Sequence, residues 1–187
     1  VDAGGLLLLF AILVVVVAAR RGHGLGLFAM AVASGLTSAT LGFRHHVDAT
    51  SSAIFAGLVV AATAVLAFGP WLGGAKLRGS LVAHRGAAFA APLVLVTLGT
   101  AWEEHIGERG ESVVALGLAV LPTIAALLAR QTAELDESTR KSAFVWHATA
   151  ALALLTAAIP LELDREWITV GWALQGVAVL ALWRSVD

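Results

Sequence analysis

Ser112-Val113-Val114-Ala115-Leu116-Gly117-Leu118-Ala119-Val120-Leu121-Pro122-Thr123-Ile124-Ala125-Ala126-Leu127-Leu128-Ala129 contains no ionisable residue and is closed by Arg130. As an α-helix this stretch rises about 27 Å, close to the ~30 Å hydrocarbon core of a bilayer. Six further runs of the same kind flank it. They cover 3–19, ending at Arg20 and Arg21; 24–43, ending at Arg44, His45 and His46; and 52–72, followed by Gly73, Gly74, Lys76 and Arg78. The remaining three cover 84–102, 143–161 and 167–183, the last closed by Arg184. Hydrocarbon offers no water to backbone groups, so each run is expected to be a helix. The predicted fold class is therefore all-α: a polytopic transmembrane bundle of about seven helices, with residues 1–187 as one domain.

Composition agrees with this reading. The 187 residues are 59% hydrophobic and 13% charged, with a mean hydropathy of +0.87. Soluble domains run at about 45–50% apolar and about 25% charged. A water-soluble enzyme is excluded on these grounds. The absence of cysteine excludes a disulfide scaffold and a thiolate metal site. A formal net charge of −1 leaves no basic footprint for nucleic acid.

Loop charges set an orientation. If the spans alternate, one side carries Arg20, Arg21, Lys76, Arg78, Arg85, Arg130, Arg140, Lys141 and Arg184, and the other only Arg44, Arg109 and Arg165. The positive-inside rule then puts the N-terminus outside and the C-terminus in the cytoplasm. Acidic residues gather on the outer side, at Asp2, Asp48, Glu103, Glu104, Glu108, Glu111, Glu162, Asp164 and Glu166. The start at Val1, directly before a span, reads as part of a longer chain.

The interior of every span is free of Asp, Glu, Lys and Arg, and the two lysines lie in or beside loops. A retinal protein needs a Schiff-base lysine in its last helix, so seven helices do not make this chain a rhodopsin. Gln175, near the middle of the last span, is the strongest polar candidate. It reads as interhelical glue or as a substrate contact. His84 and His147 open two spans that enter from the same side, so both imidazoles are expected at similar depth. They read as interfacial residues beside Arg85 and Trp146, or as ligands holding a haem from its two faces. The haem reading is the alternative; no cofactor and no metal is the main expectation.

The outer stretch from Trp102 to Glu111 holds four glutamates broken up by glycine and arginine, which reads as a solvated face. His45, His46 and Asp48, and separately His105, match no metal-site spacing. The stretch Glu134–Lys141 reads as a polar connector with a helix-start signal. Small-residue stripes at Ser34, Ser38 and Gly42 and at Gly57 and Ala61 favour close helix packing. Pro92 and Pro122 are expected to kink their spans, and Pro160 to end its own. Trp71, Trp102, Trp167 and Trp183 mark span ends as interfacial anchors.

The run Ala158-Ile159-Pro160-Leu161-Glu162-Leu163-Asp164-Arg165-Glu166-Trp167-Ile168-Thr169-Val170-Gly171-Trp172-Ala173-Leu174-Gln175-Gly176 resembles a recurring motif of the bacterial membrane proteins grouped as domain of unknown function 2339. That motif is an AIPL helix end, a short LD…W turn and a helix reading T…WALEG. This chain carries Gln175 where the family carries a glutamate. The resemblance implies a multi-pass bacterial inner-membrane protein, usually longer than this chain, and implies no catalytic residues.

Taken together, the expectation is a non-enzymatic membrane protein. Its partners are the lipid bilayer and other membrane subunits, or the rest of a longer chain. The alternative is a carrier or flippase for a lipid or neutral solute, using Pro92, Pro122 and Gln175.

Overall fold

The computed structural model describes residues 3–21, 49–102, 108–162 and 165–184. Their regular structure is entirely helical: α1 (Ala3–Arg21), α2 (Ala49–Ala67), α3 (Gly69–Leu72), α4 (Ala75–Arg78), α5 (Leu81–Trp102), α6 (Glu108–Gln131), α7 (Glu137–Glu162) and α8 (Arg165–Arg184). The span expected over 24–43, with Ser34, Ser38 and Gly42, lies outside the described residues. Segments Ser112–Gln131 and Glu137–Pro160, with mean hydropathies of 2.3 and 1.6, are long and apolar enough to cross a membrane. Shorter apolar segments are Leu8–Ala18, Gly57–Ala67, Leu81–Val96 and Ile168–Val177.

Helix boundaries follow local chemistry. The run expected as one span over 52–72 breaks after Ala67, because Pro70 has no N–H to donate and occupies the first turn of α3. Gly74, at φ +79°, then takes a left-handed backbone that only glycine adopts without cost, and the chain turns into α4. Asp136 starts α7, its carboxylate accepting the Thr139 N–H at 2.9 Å, so this helix begins six residues before the apolar run at 143. Pro92 and Pro122 sit inside continuous helices, and Pro160 is followed by two more helical residues.

Packing is built on small residues. Buried apolar positions among the described residues are mostly alanine, whereas leucine, valine and isoleucine crowd the exposed surface. On α6 the buried positions include Ser112, Ala115, Ala119, Pro122, Ala126 and Ala129, spaced alternately by three and four. That is the heptad seam of a left-handed helix pair. The buried stripe on α7 runs through Ala143, His147, Ala150, Leu154 and Ala158. These two helices share the most extensive interface. On the other side, Ala11, Val14 and Val15 of α1 meet Ala62 and Leu66 of α2 and Ala87 and Ala90 of α5. Of the stripe at Gly57 and Ala61, Gly57 is exposed and Ala61 half-buried. Helix α8 joins α7 closely at Gly171, where an added Cβ would meet Ile159 Cγ2 at 2.5 Å.

Replacing Ala125, fully buried, by leucine is expected to cost about 1–3 kcal/mol through overpacking. Leu127→Ala, on the exposed side of the same helix, should cost far less. Thermal unfolding in detergent micelles compares them, and equal losses would contradict the small-residue seam.

Asp136 gives a pH dependence. The backbone N–H and side chain of Thr139 hold its carboxyl below the usual aspartate range. Stability from this cap is therefore present above about pH 3.9, the ordinary value, and is lost as pH falls through the lower folded-state value. Melting temperature should drop more steeply on acidification in the native chain than in Asp136→Asn. Parallel curves would refute the cap.

Candidate functional site

Four buried polar or charged residues stand out among the described residues: Thr63, Ser112, His84 and His147. Thr63 returns its hydroxyl to the Val59 carbonyl within its own helix. The two histidines do something different, because they meet. His84 Nδ1 lies 3.4 Å from His147 Nε2, joining the first turn of α5 to the third turn of α7. Both side chains are 0% exposed.

Segment 68–80 builds the remaining wall. The break at Gly69-Pro70 folds Trp71 across the pair, with ring centroids 5.0 Å from His84 and 5.5 Å from His147. Trp71 Nε1 donates to Thr132 Oγ1 at the end of α6, and that hydroxyl donates to the Leu128 carbonyl. Arg78 ends α4, where helix carbonyls lack intrahelical donors. Its carbonyl accepts from His84 Nε2 at 2.9 Å. Its guanidinium Nη1 pairs with Glu134 Oε2 in the α6–α7 connector, while its Nε is buried without a partner. Three helices, a fold-back and a connector thus converge on one imidazole pair.

Hydrogen-bond accounting fixes the tautomers. A carbonyl only accepts, so His84 Nε2 carries a proton. In the neutral dyad His84 Nδ1 is then the acceptor, and His147 Nε2 must donate to it. His147 Nδ1 is left as a bare lone pair, and it is buried with no partner. The ring centres are 5.6 Å apart. Two imidazolium charges at that separation repel by about 3 kcal/mol at an effective dielectric of about 20. Mutual repulsion therefore disfavours a doubly charged dyad.

This geometry does not suit a haem. Ligands on opposite faces of a macrocycle need a planar slot between them, whereas these nitrogens bond directly and the Trp71 ring lies against both. Among the described residues no group of three or more histidine, cysteine, aspartate or glutamate side chains could hold a metal ion. His45, His46, Asp48, Glu103, Glu104 and His105 lie outside the described residues.

Gln175 is far from this site in the chain and is half-buried on α8. Its Nε2 donates to Thr156 Oγ1 of α7, and Thr156 donates in turn to the Leu152 carbonyl. At the surface of α5 and α7, Arg85 lies over the Trp146 ring at 5.3 Å, and Phe89 packs beside it. From the sequence, His84 and His147 share a depth; their direct bond, and the parts played by Trp71, Arg78, Thr132 and Glu134, were not read there. The signal was the pair of breaks Gly69-Pro70 and Gly73-Gly74, which return the chain across the bundle end.

The comparisons with known proteins add no name to this geometry: no family model, curated protein or solved structure matches the chain.

The buried dyad and its exposed neighbour differ in what they stabilise. His84→Leu leaves His147 Nε2–H buried and unpaired, which should cost about 1–3 kcal/mol. Glu134→Gln removes a partner that is 70% exposed and should cost no more than about 1 kcal/mol. Denaturant titration in micelles ranks the two, and a larger loss for Glu134→Gln would show that the ion pair rather than the dyad holds this end together.

Proposed function

We propose that the chain is a seven-span bacterial inner-membrane protein without catalytic activity, packing against other membrane subunits or the rest of a longer chain. The observation that carries this reading is the reversed distribution of side-chain size. Alanines fill the interior, and large apolar residues such as Leu9, Leu13, Phe89, Val96, Val113 and Leu127 face outward. In water such a surface would be untenable. In lipid the hydrophobic effect gives helices no reason to associate, and small residues that let backbones approach do that work. Only 44% and 33% of the two long apolar segments are buried, as expected for helices that face lipid on one side.

The packing role draws on α8. It exposes Val170, Trp172, Val177, Val179 and Leu180 at 41–67% and is tied to α7 through Gln175 and Gly171. A helix held along one line has apolar surface to offer a neighbouring membrane helix. The motif shared in style with domain of unknown function 2339 lies on this same α7–α8 hairpin. Orientation, with the N-terminus outside, rests on the basic loops and on the polar connector 132–136. Gln175 donates an amide N–H to Thr156, which supports its reading as interhelical glue.

The chain contains no cysteine, so single introduced thiols report topology cleanly. Ser138→Cys should react with an impermeant maleimide only after cells are opened, and Asp164→Cys in intact cells. Both reacting from one side would break the alternation of spans. Native mass spectrometry after gentle extraction should give a mass above the 19.2 kDa of one chain, resolving into further polypeptides. A lone chain carrying only lipid would overturn the subunit role.

A further inference from the structure

We propose that the His84–His147 dyad is a proton-binding site through which one proton passes between the α3–α4 end of the bundle and its interior. The inference rests on the membrane reading above and goes beyond it, since packing alone requires no ionisable pair at this place.

The surroundings single the pair out. His147 occupies a position in the buried α7 stripe otherwise filled by alanine and leucine. An apolar residue there would pack helices without any polar demand. Ionisable groups at membrane depth mark proton pathways and relays often enough that a function is the default expectation. Here two are in direct contact, and one ends in an unpaired lone pair, His147 Nδ1.

Charged groups on the neighbouring elements leave the pair free to exchange its proton. From α4 comes Arg78, which offers its carbonyl to His84 and directs its guanidinium to Glu134 of the connector. On α5, Arg85 is exposed and lies over Trp146. On α6, Arg130 is exposed. On α7, Lys141 pairs with Glu137 one turn from the helix start, and Arg140 lies beside it. The short helix α3 contributes only Trp71. Among the described residues no carboxylate touches either imidazole. A carboxylate would fix a permanent imidazolium, whereas its absence leaves a charge that can come and go.

The passage balances without any electron transfer. A proton arriving from the bundle interior bonds to His147 Nδ1. The proton on His147 Nε2 crosses to His84 Nδ1, leaving His147 neutral as its other tautomer. His84, now an imidazolium, releases its Nε2 proton to a water molecule that replaces the Arg78 carbonyl at the mouth. One proton has entered and one has left. Both rings then return to the starting tautomers by rotation, which completes one net transfer.

The test uses the full chain reconstituted in phosphatidylcholine vesicles containing a pH-sensitive dye. Insertion is checked first by flotation and by resistance to alkaline carbonate. A potassium potential set with valinomycin then drives protons inward. The native chain should acidify the lumen faster than protein-free vesicles, and His84→Gln and His147→Gln should each abolish the difference. Glutamine keeps hydrogen bonding but carries no exchangeable charge, so a purely structural pair would tolerate it. Glu137→Gln, in the exposed pair with Lys141, should leave the flux intact. A second readout is Trp71, close enough to both rings for an imidazolium to quench it. The emission difference between native and Trp71→Phe chains should show one step with pH that is lost in both glutamine variants. An inserted native chain with background flux, or glutamine variants with native flux and an unchanged Trp71 step, would overturn the relay. A chain washed out by carbonate would instead overturn the membrane reading, and the relay with it.

Discussion

The close approach of α6 and α7 along small residues is the constraint on which the rest of this structure depends. With mostly alanine at the seam, the two helices share the most extensive interface of the structure, and dispersion contacts add along its length. Larger side chains there are few, Leu154 and His147 among them, and added bulk would push the helices apart. That rule explains why leucine and valine are displaced to the outside, and why α5 and α1 repeat the pattern with Ala87, Ala90 and Ala11. It also explains why α8 needs glycine at position 171, where Ile159 fills the space a side chain would take. A fold held this way has little tolerance for bulk inside and wide tolerance outside, the reverse of a soluble domain.

Among the described residues, most hydroxyl and amide groups admitted to this apolar frame find a partner. Thr63, Thr123, Thr132 and Thr156 return their hydroxyls to carbonyls one turn back in their own helices. Thr156 and Thr132 each also accept a bond from another element, Gln175 of α8 and Trp71 of α3. In both places one hydroxyl links the end of a donor chain to a helix backbone. Arg78 works similarly at the end of α4, where a carbonyl that the short helix cannot satisfy is taken up by His84. The bundle end between α4, α5 and the connector is thus stitched by groups that helix termini leave over, supplemented by the exposed Arg78–Glu134 pair.

Apolar length and charge made the helices legible in the sequence. Apolar runs locate α1, α5, α6 and α8 to within a few residues, because a helix satisfies its own backbone hydrogen bonds. Boundaries set by polar caps were less legible: α7 starts at Glu137 rather than 143 because the Asp136 carboxylate, not hydrophobicity, begins it. The break after Ala67 was hidden for the opposite reason. Ala67, Phe68, Pro70, Trp71 and Leu72 look continuous to a hydropathy argument, while Pro70 interrupts the hydrogen-bond ladder regardless of how apolar it is. Since that break folds Trp71 and Arg78 over the histidines, missing it meant missing the site. Depth along a span can be counted from sequence, but the rotation of each helix cannot, and rotation decides whether His84 and His147 face lipid or each other.

Gln175 and the histidine pair show how similar-looking polar residues diverge once placed. Both join α7 to a neighbouring helix. The amide of Gln175 has a fixed set of donors and acceptors, so its bond to Thr156 has one state and serves adhesion. An imidazole can donate or accept at either nitrogen, so the same kind of link between α5 and α7 has several states that differ by the position of one proton. With His84 Nε2 committed to the Arg78 carbonyl, those states are ordered along a line that ends at the unpaired His147 Nδ1. That leftover acceptor lies in a stripe whose other buried positions are alanine and leucine, and it is where the proposed proton passage begins.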